Sequence, residues 1–384
     1  LGAVVEDRYM SAGKLTDSGV IVFSDLDLSD AHTASVVADA SNTLGGLLAL
    51  TRITESSNTT DGSFGWDYEV DNSAVQYLAK GQTTTESFTV TIADPNGASV
   101  EQIVVVTITG VNDGPDISVQ TGDSASAALL EATTAAGVAS SGLQAMGTLS
   151  VRDIDTSDVV DVMIESVSFS GTGNGFKPAT LNNTTALALL SLTQGALQNE
   201  AADNALGNLT WEFDSGLIGF DYLQAGETQT ITYGLKATDT SGATDTQLIV
   251  ITITGTQDIA KISGTSSGSV NEKGGFLNNS YDELYTGVPG LTNPPAGNYS
   301  LTGGKLDIID LDHDQAFFTA KTEATQYGTF KIDSAGNWTY QLDDNSAVTE
   351  LLGKGDSKIE SFVVYSKDGT ANQTVTVNIL GADD

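Results

Sequence analysis

A threefold internal repeat decides what this chain of 384 residues can fold into. Three stretches close alike: Val106-Thr107-Ile108-Thr109-Gly110-Val111-Asn112-Asp113, Ile251-Thr252-Ile253-Thr254-Gly255-Thr256-Gln257-Asp258, and Val377-Asn378-Ile379-Leu380-Gly381-Ala382-Asp383-Asp384. Each alternates like a strand and ends in Gly-x-x-Asp. An aspartate-led turn precedes each one, at Asp94, Asp239 and Asp368. All three tryptophans sit in a matching aromatic run: Phe64-Gly65-Trp66-Asp67-Tyr68, Leu209-Thr210-Trp211-Glu212-Phe213 and Asn337-Trp338-Thr339-Tyr340. Asp71-Asn72-Ser73-Ala74-Val75 returns unchanged as Asp344-Asn345-Ser346-Ala347-Val348. Each copy also carries an early acidic cluster, at Asp25/Asp27/Asp30, Asp153/Asp155/Asp158 and Asp310/Asp312/Asp314.

The terminal aspartates predict three tandem domains, 1–113, 114–258 and 259–384, each long enough to bury its own core. Short alternating runs between Gly, Asn and Asp turns predict an all-β chain, with an Ig-like or cadherin-like β-sandwich of about seven strands per domain in an elongated array. The tryptophans read as core anchors packed with Tyr68, Phe213 and Tyr340. Two stretches interrupt the repeat. One is an insertion at about 166–207, within which the Ala/Leu-rich run from Thr184 to Leu206 predicts a helix. The other is a long early loop at 274–299, rich in Tyr and Pro.

In such a sandwich every second loop lies at the same end. The acidic cluster falls between the second and third strands and the turn aspartate between the sixth and seventh. Both belong to the end where the preceding domain's last strand arrives. Side-chain oxygens should therefore converge at each junction. At the first they come from Asn112, Asp113, Asp153, Asp155, Asp158 and Asp239; at the second from Asp258, Asp310, Asp312, Asp314 and Asp368. At the free end of the first copy they come from Asp25, Asp27, Asp30 and Asp94. Glu6 and Glu131, with Glu272, recur near the end of each first strand and could reach the same places. Glu86 and Glu360 occupy equivalent positions at the start of the sixth strand and are candidates to close the sites from the other side; the middle copy has Ile231 there.

Fifty Asp and Glu against fifteen Lys and Arg leave a net charge of −35. Unpaired carboxylates packed this closely repel one another, and few cations are at hand to compensate. A divalent hard cation resolves the repulsion, and six to eight oxygens in flexible geometry suit Ca2+ better than Mg2+. EF-hand loops do not fit, because the clusters lack the central glycine and the glutamate at position twelve. No basic face exists for nucleic acid, and an anionic membrane surface would repel the chain. No apolar run approaches the length of a membrane-spanning helix. The chain has no cysteine, so disulfides, thiolate zinc sites and a cysteine nucleophile are excluded. His32 and His313 are the only histidines; neither forms a Ser-His-Asp pattern, and both read as solvated. No catalytic residue is assigned and the chain is not expected to be an enzyme. The start, Leu1-Gly2-Ala3, has neither a leader nor an initiator Met and reads as an internal piece of a longer protein.

The early Glu, Asp-x-Asp, turn Asp and linker Asn-Asp together resemble the calcium scheme of cadherin-type domains. The longer pattern runs from the acidic loop through Gly-x-Trp-x-Tyr, Asp-Asn-Ser-Ala-Val and Leu-x-x-Gly to the Thr-rich strand ending Gly-x-Asn-Asp. It resembles the VCBS and cadherin-like repeats of large bacterial surface adhesins of the RTX class. Copies one and three match closely; copy two departs at Glu212-Phe213-Asp214 and in its insertion. The resemblance implies secretion to a bacterial cell surface, Ca2+-rigidified junctions, and a part in cell adhesion or biofilm formation. The expected function is thus a calcium-stiffened extender segment. The alternative is a ligand-binding module, whose insertions in domains two and three would hold a cell-surface glycan, a peptide or another copy of the chain.

Overall fold

The computed structural model describes residues 1–27, 29–56, 61–138, 141–194, 206–272 and 300–383. Nearly every regular element is a strand. The first copy contributes β1 (Gly2–Val5), β2 (Lys14–Phe23), β3 (Thr33–Ala38), β4 (Leu47–Thr54), β5 (Gly62–Asp71), β6 (Thr83–Ala93) and β7 (Ser99–Thr109). They form two facing sheets, β1-β7-β6-β3 and β2-β5-β4. The second copy contributes β8 (Asp116–Ser118), β9 (Ser126–Leu130), β10 (Gln144–Arg152), β11 (Asp161–Ser170), the short helix α1 (Asn183–Leu187), β12 (Leu190–Gln194), β13 (Leu209–Asp214), β14 (Thr228–Thr238) and β15 (Thr244–Thr254). Its sheets run β12-β13-β10-β8 and β11-β14-β15-β9. The third contributes β16 (Lys261–Gly264), β17 (Ser267–Asn271), β18 (Leu301–Ile309), β19 (Lys321–Ala324), β20 (Gly328–Ile332), β21 (Asn337–Leu342), β22 (Ser357–Tyr365) and β23 (Asn372–Leu380), in sheets β16-β18-β21-β20-β19 and β17-β23-β22.

Period-two patterning explains the packing. Along β5 the residues Phe64, Trp66, Tyr68 and Val70 are buried while their neighbours face outward. The same alternation holds for Leu209, Trp211 and Phe213, and for Trp338, Tyr340 and Leu342. Three separate hydrophobic cores result, with members between Val4 and Ile108, Ile117 and Ile253, and Val270 and Ile379. Each tryptophan lies opposite a glycine on the neighbouring strand: Gly19 with Trp66, Gly147 with Trp211 and Gly304 with Trp338. A Cβ at Gly19 would come within 2.4 Å of the Trp66 ring and one at Gly147 within 2.5 Å of Trp211. The bare backbone lets the indole lie flat across the strand.

The expected helix over 184–206 is corrected by the structure. Asn182 caps Thr184 and Thr185, so a helix does start there, but it ends at Leu187. Leu190–Gln194 then pairs with β13 across from Trp211. The open flank of that sheet outweighs the helical propensity of the Ala/Leu run, since pairing satisfies a ladder and buries Leu189 and Leu190 together. Residues 195–205 of that expectation, and the loop 274–299, lie outside the described residues.

Candidate metal centres at the module junctions

The acidic clusters follow β2, β10 and β18, and the turn aspartates sit between the last two strands of each sandwich. Up-and-down strand order therefore carries both loops to the end at which the preceding copy's final strand arrives. A shared local geometry shapes each acidic loop: the N–H of the second aspartate donates to the first, Asp27 to Asp25 at 2.8 Å, Asp155 to Asp153 at 3.0 Å and Asp312 to Asp310 at 3.1 Å. The turn aspartates accept from backbone N–H groups in the same way, at Ala98 for Asp94 and Ala243 for Asp239, both within 3 Å.

At the first junction the linker threads between these loops. The Asp113 N–H donates to Asp155 Oδ2 at 2.9 Å, and the Asn112 amide donates to Asp239 Oδ2 at 2.8 Å. Glu6 reaches in from the end of β1, accepting from Val111 N–H at 2.8 Å and from the Gln76 amide at 2.7 Å. One carboxylate oxygen from each of Asp153, Asp158 and Asp239 lies within 4.8 Å of the other two, and all three residues are buried. The second junction repeats the plan. Asp258 N–H donates to Asp312 Oδ2 at 3.0 Å, and the Gln257 amide spans Asp312, Gln315 and Asp368. Glu131 accepts from Thr256 N–H, as Glu6 does from Val111. Its oxygens group with those of Asp221 and Asp258 within 4.8 Å.

Burial and mutual repulsion push these carboxyls up. Glu6 rises to about 7, Asp155 to about 7, Asp153, Asp258 and Asp312 to about 6, and Glu131 to about 9. Desolvation is the largest cause in each case, with neighbouring carboxylates adding to it. Asp113, Asp158 and Asp310 are raised for the same reasons. Asp368 is lowered by hydrogen bonds from Ser366 and Thr370, which outweigh its own burial.

The hydrogen bonds leave one oxygen over on most of these groups. Asn112 Oδ1, Asp113 Oδ2, Asp153 Oδ2, Asp155 Oδ1 and Asp158 Oδ2 at the first junction are buried without a hydrogen-bond partner among the described residues. Glu131 Oε1, Asp258 Oδ2, Asp310 Oδ2 and Asp312 Oδ1 are in the same condition at the second. A buried acceptor without a donor is costly, and a charged one more so. Hard, anionic and amide oxygens gathered from three parts of the chain are the donor set that suits Ca2+.

Some expected ligands stand elsewhere. Glu86 is fully buried inside the first sandwich, accepting from Tyr68 Oη at 2.8 Å and from Leu44 N–H at 3.1 Å, and takes no part in the junction. Asp314 turns outward on a residue with φ of 56° and bonds to His313; the position five after Asp310, matching Asp158, is Gln315. At the corresponding end of the first sandwich Asp25, Asp30 and Asp94 come together while Asp27 is exposed. Asp221 was missed. It occupies the place of Gln76 in the first copy, two residues before the leucine of Leu-x-x-Gly, and aligning Phe220-Asp221-Tyr222-Leu223 with Val75-Gln76-Tyr77-Leu78 points to it.

The histidines are not solvated. His32 lies between Asp25 at 3.0 Å and Glu55 at 2.9 Å, with its side chain 6% exposed and its ring against Phe23. His313 is an inter-module wedge: its N–H donates to Tyr222 O at 3.2 Å, its ring bonds Glu227 at 2.8 Å, and it stacks on Phe176. At the first junction Thr156 fills that place, its N–H donating to Tyr77 O at 3.2 Å.

No family model matches the sequence, and no curated protein matches it. Among solved structures, the chain overlays on PcdhgB3 EC1–4 with a TM-score of 0.38 and 10% identity, covering 99% of this chain and 74% of that one. It overlays on protocadherin gamma B2 extracellular cadherin domains 1–5 with a TM-score of 0.36 and 12% identity, covering 99% of this chain and 58% of that one, less than two thirds of its length. With human CDH23 EC21–23 the TM-score is 0.31 at 11% identity, covering 88% of this chain and 89% of that one.

Proposed function

We propose that the chain is a calcium-rigidified extender segment of a bacterial cell-surface adhesin, in which modules 1–113, 114–258 and 259–384 are joined by cation-clamped linkers. The observation that carries this reading is the set of nine buried junction oxygens with no hydrogen-bond partner among the described residues. Six of them fall in pairs at positions the repeat matches, Asp113 with Asp258, Asp153 with Asp310 and Asp155 with Asp312, and all lie where one module meets the next. The sequence resemblance to VCBS and cadherin-like adhesin repeats supports the surface location and the role in adhesion and biofilm formation.

In this reading Glu6, Asn112, Asp113, Asp153, Asp155, Asp158 and Asp239 hold Ca2+ at the first junction, and Glu131, Asp221, Asp258, Asp310, Asp312 and Asp368 at the second. Bound Ca2+ supplies the positive charge that lets these groups stay ionised together. The chain's own contribution is orientation. Asp113 and Asp258 donate backbone N–H groups to the acidic loops, and Asn112 and Gln257 hold the turn aspartates, so each linker is already seated between the modules. The function is mechanical: a rod that projects where Ca2+ is plentiful.

Isothermal titration of EDTA-treated protein with Ca2+ tests the reading. Saturable binding, weakened by Asp155→Asn and by Asp312→Asn, is expected. No binding heat together with an unchanged melting temperature would contradict it.

A further inference from the structure

Both carboxylate trios that gather within 4.8 Å at the junctions belong to the middle copy. Asp153, Asp158 and Asp239 stand at its end facing the first sandwich, and Glu131, Asp221 and Asp258 at its end facing the third. Among the described residues, neither neighbour presents such a trio across either junction. The repeat alone does not explain this, because every copy carries an acidic loop, a turn aspartate and an early glutamate.

The difference lies at three positions. Asp221 of the middle copy is Gln76 in the first, Asp158 is Gln315 in the third, and Asn112 of the first linker is Gln257 in the second. The Gln76 amide donates to Glu6 Oε1 at 2.7 Å and to Asp7 Oδ1 at 3.2 Å. With the Val111 N–H on Oε2, both oxygens of Glu6 are then bonded. Gln257 is one methylene longer than Asn112. Its amide donates to Asp312 Oδ2 at 2.8 Å, Gln315 Oε1 at 3.0 Å and Asp368 Oδ2 at 3.1 Å, the residues that match Asp155, Asp158 and Asp239. The shorter Asn112 amide reaches only Asp239 of that set.

The trios of the middle sandwich keep oxygens that no amide meets. Asp153 Oδ2 and Asp158 Oδ2 at one end, and Glu131 Oε1 and Asp258 Oδ2 at the other, are buried without a hydrogen-bond partner among the described residues. None of these four residues is more than 6% exposed. A neutral amide satisfies carboxylate lone pairs without balancing their charge, and it occupies the room between them. Where no amide stands, the trio keeps both its repulsion and its vacant lone pairs, which is the condition a hard cation relieves. The outer end of the first sandwich makes the contrast. Asp25, Asp30 and Asp94 are only half-buried there, His32 bonds Asp25 at 3.0 Å, and the Asn96 amide donates to Asp30 at 2.9 Å. No buried oxygen without a partner occurs in that trio.

We infer that the middle sandwich is the cation-bearing module, with one Ca2+ in the trio at each of its ends, and that Gln76 and Gln257 fill the matching place on the flanking sandwiches with an amide. This placement rests on the calcium reading of the junctions. Glu6 and Asp368 then serve only the oxygens shared across each linker, such as those of Asp113 with Asp155 and Asp258 with Asp312.

Equilibrium dialysis of the full chain, counting bound Ca2+ per molecule, tests the placement. Asp158→Asn and Asp221→Asn should each lose one ion. Gln76→Glu and Gln257→Glu, which exchange the amide for a carboxylate of the same shape, should each gain one. Both gain variants should also melt lower than the wild-type chain in EDTA, with the deficit removed in Ca2+. The four substitutions are divided between two junctions, so a variant that fails to fold leaves the others to decide. A wild-type chain that binds Ca2+, with the count unchanged in both gain variants or in both loss variants, would overturn the inference and leave the calcium reading standing. A wild-type chain that binds no Ca2+ would overturn both.

Discussion

The Tyr68 hydroxyl donates to Oε2 of Glu86 at 2.8 Å inside the first sandwich, and Tyr340 does the same to Glu360 in the third. The middle sandwich has Phe213 and Ile231 at the two positions, both buried. Donor and acceptor are therefore present together or absent together. Phe213→Tyr should destabilise the middle module by about 1–3 kcal/mol, because its hydroxyl arrives with no acceptor waiting at Ile231. Tyr68→Phe should cost the first module about 1–2 kcal/mol by leaving a buried glutamate one donor short. Urea unfolding followed by tryptophan fluorescence, with one tryptophan in each module, checks both.

Without divalent cations, stability should fall as pH rises. The raised carboxyls have folded-state values of about 6 to 7, and about 9 for Glu131, above their unfolded values near 4. Between those limits the folded state binds more protons than the unfolded one, so raising the pH removes stability. In EDTA the melting temperature should therefore be higher at pH 5 than at pH 8, with a difference of at least about 1–2 kcal/mol in unfolding free energy after allowing for charges shared within each cluster. In excess Ca2+ the order should reverse, since the ligands must be deprotonated to bind. Calorimetric scans across pH with and without the cation check both halves.

Removing one junction charge should have opposite effects with and without cation. Asp155→Asn and Asp312→Asn each relieve repulsion in the metal-free cluster and raise its melting temperature by a few degrees. In Ca2+ the same variants lose an anionic ligand, and affinity should fall about tenfold or more. Both measurements on the same two variants are needed, because a merely structural aspartate would lower stability under either condition.

The second junction carries a contact that needs no cation. His313 stacks on Phe176, bonds Glu227, and offers its carbonyl to the Gln224 amide at 2.7 Å. In EDTA, His313→Ala should loosen this junction while leaving the first unaffected. A spin-label pair spanning modules two and three should show a broader distance distribution in the variant, and a pair spanning modules one and two should not.

Much of this was legible in the residues because the repeat reads the same information three times. Strand alternation located the buried tryptophans and placed the acidic loops at one end. What escaped required knowing neighbours in space. The glycine facing each tryptophan lies 34 to 64 positions away in sequence, as with Gly304 and Trp338 or Gly147 and Trp211. Glu86 sits on the strand that suggested a junction role, but Tyr68 and Leu44 hold it inside. The run after Asn182 has helical composition, yet the vacant flank of β13 takes it as a strand.

Small-angle scattering of the whole chain, in EDTA and then in Ca2+, tests the central claim most directly. If cations clamp the linkers between the loops of Asp155 and Asp312, the longest dimension should rise and the flexibility signature in the scattering curve should disappear as Ca2+ is added, with a midpoint that matches the binding titration. An identical profile in both conditions, whether extended or bent, would contradict it.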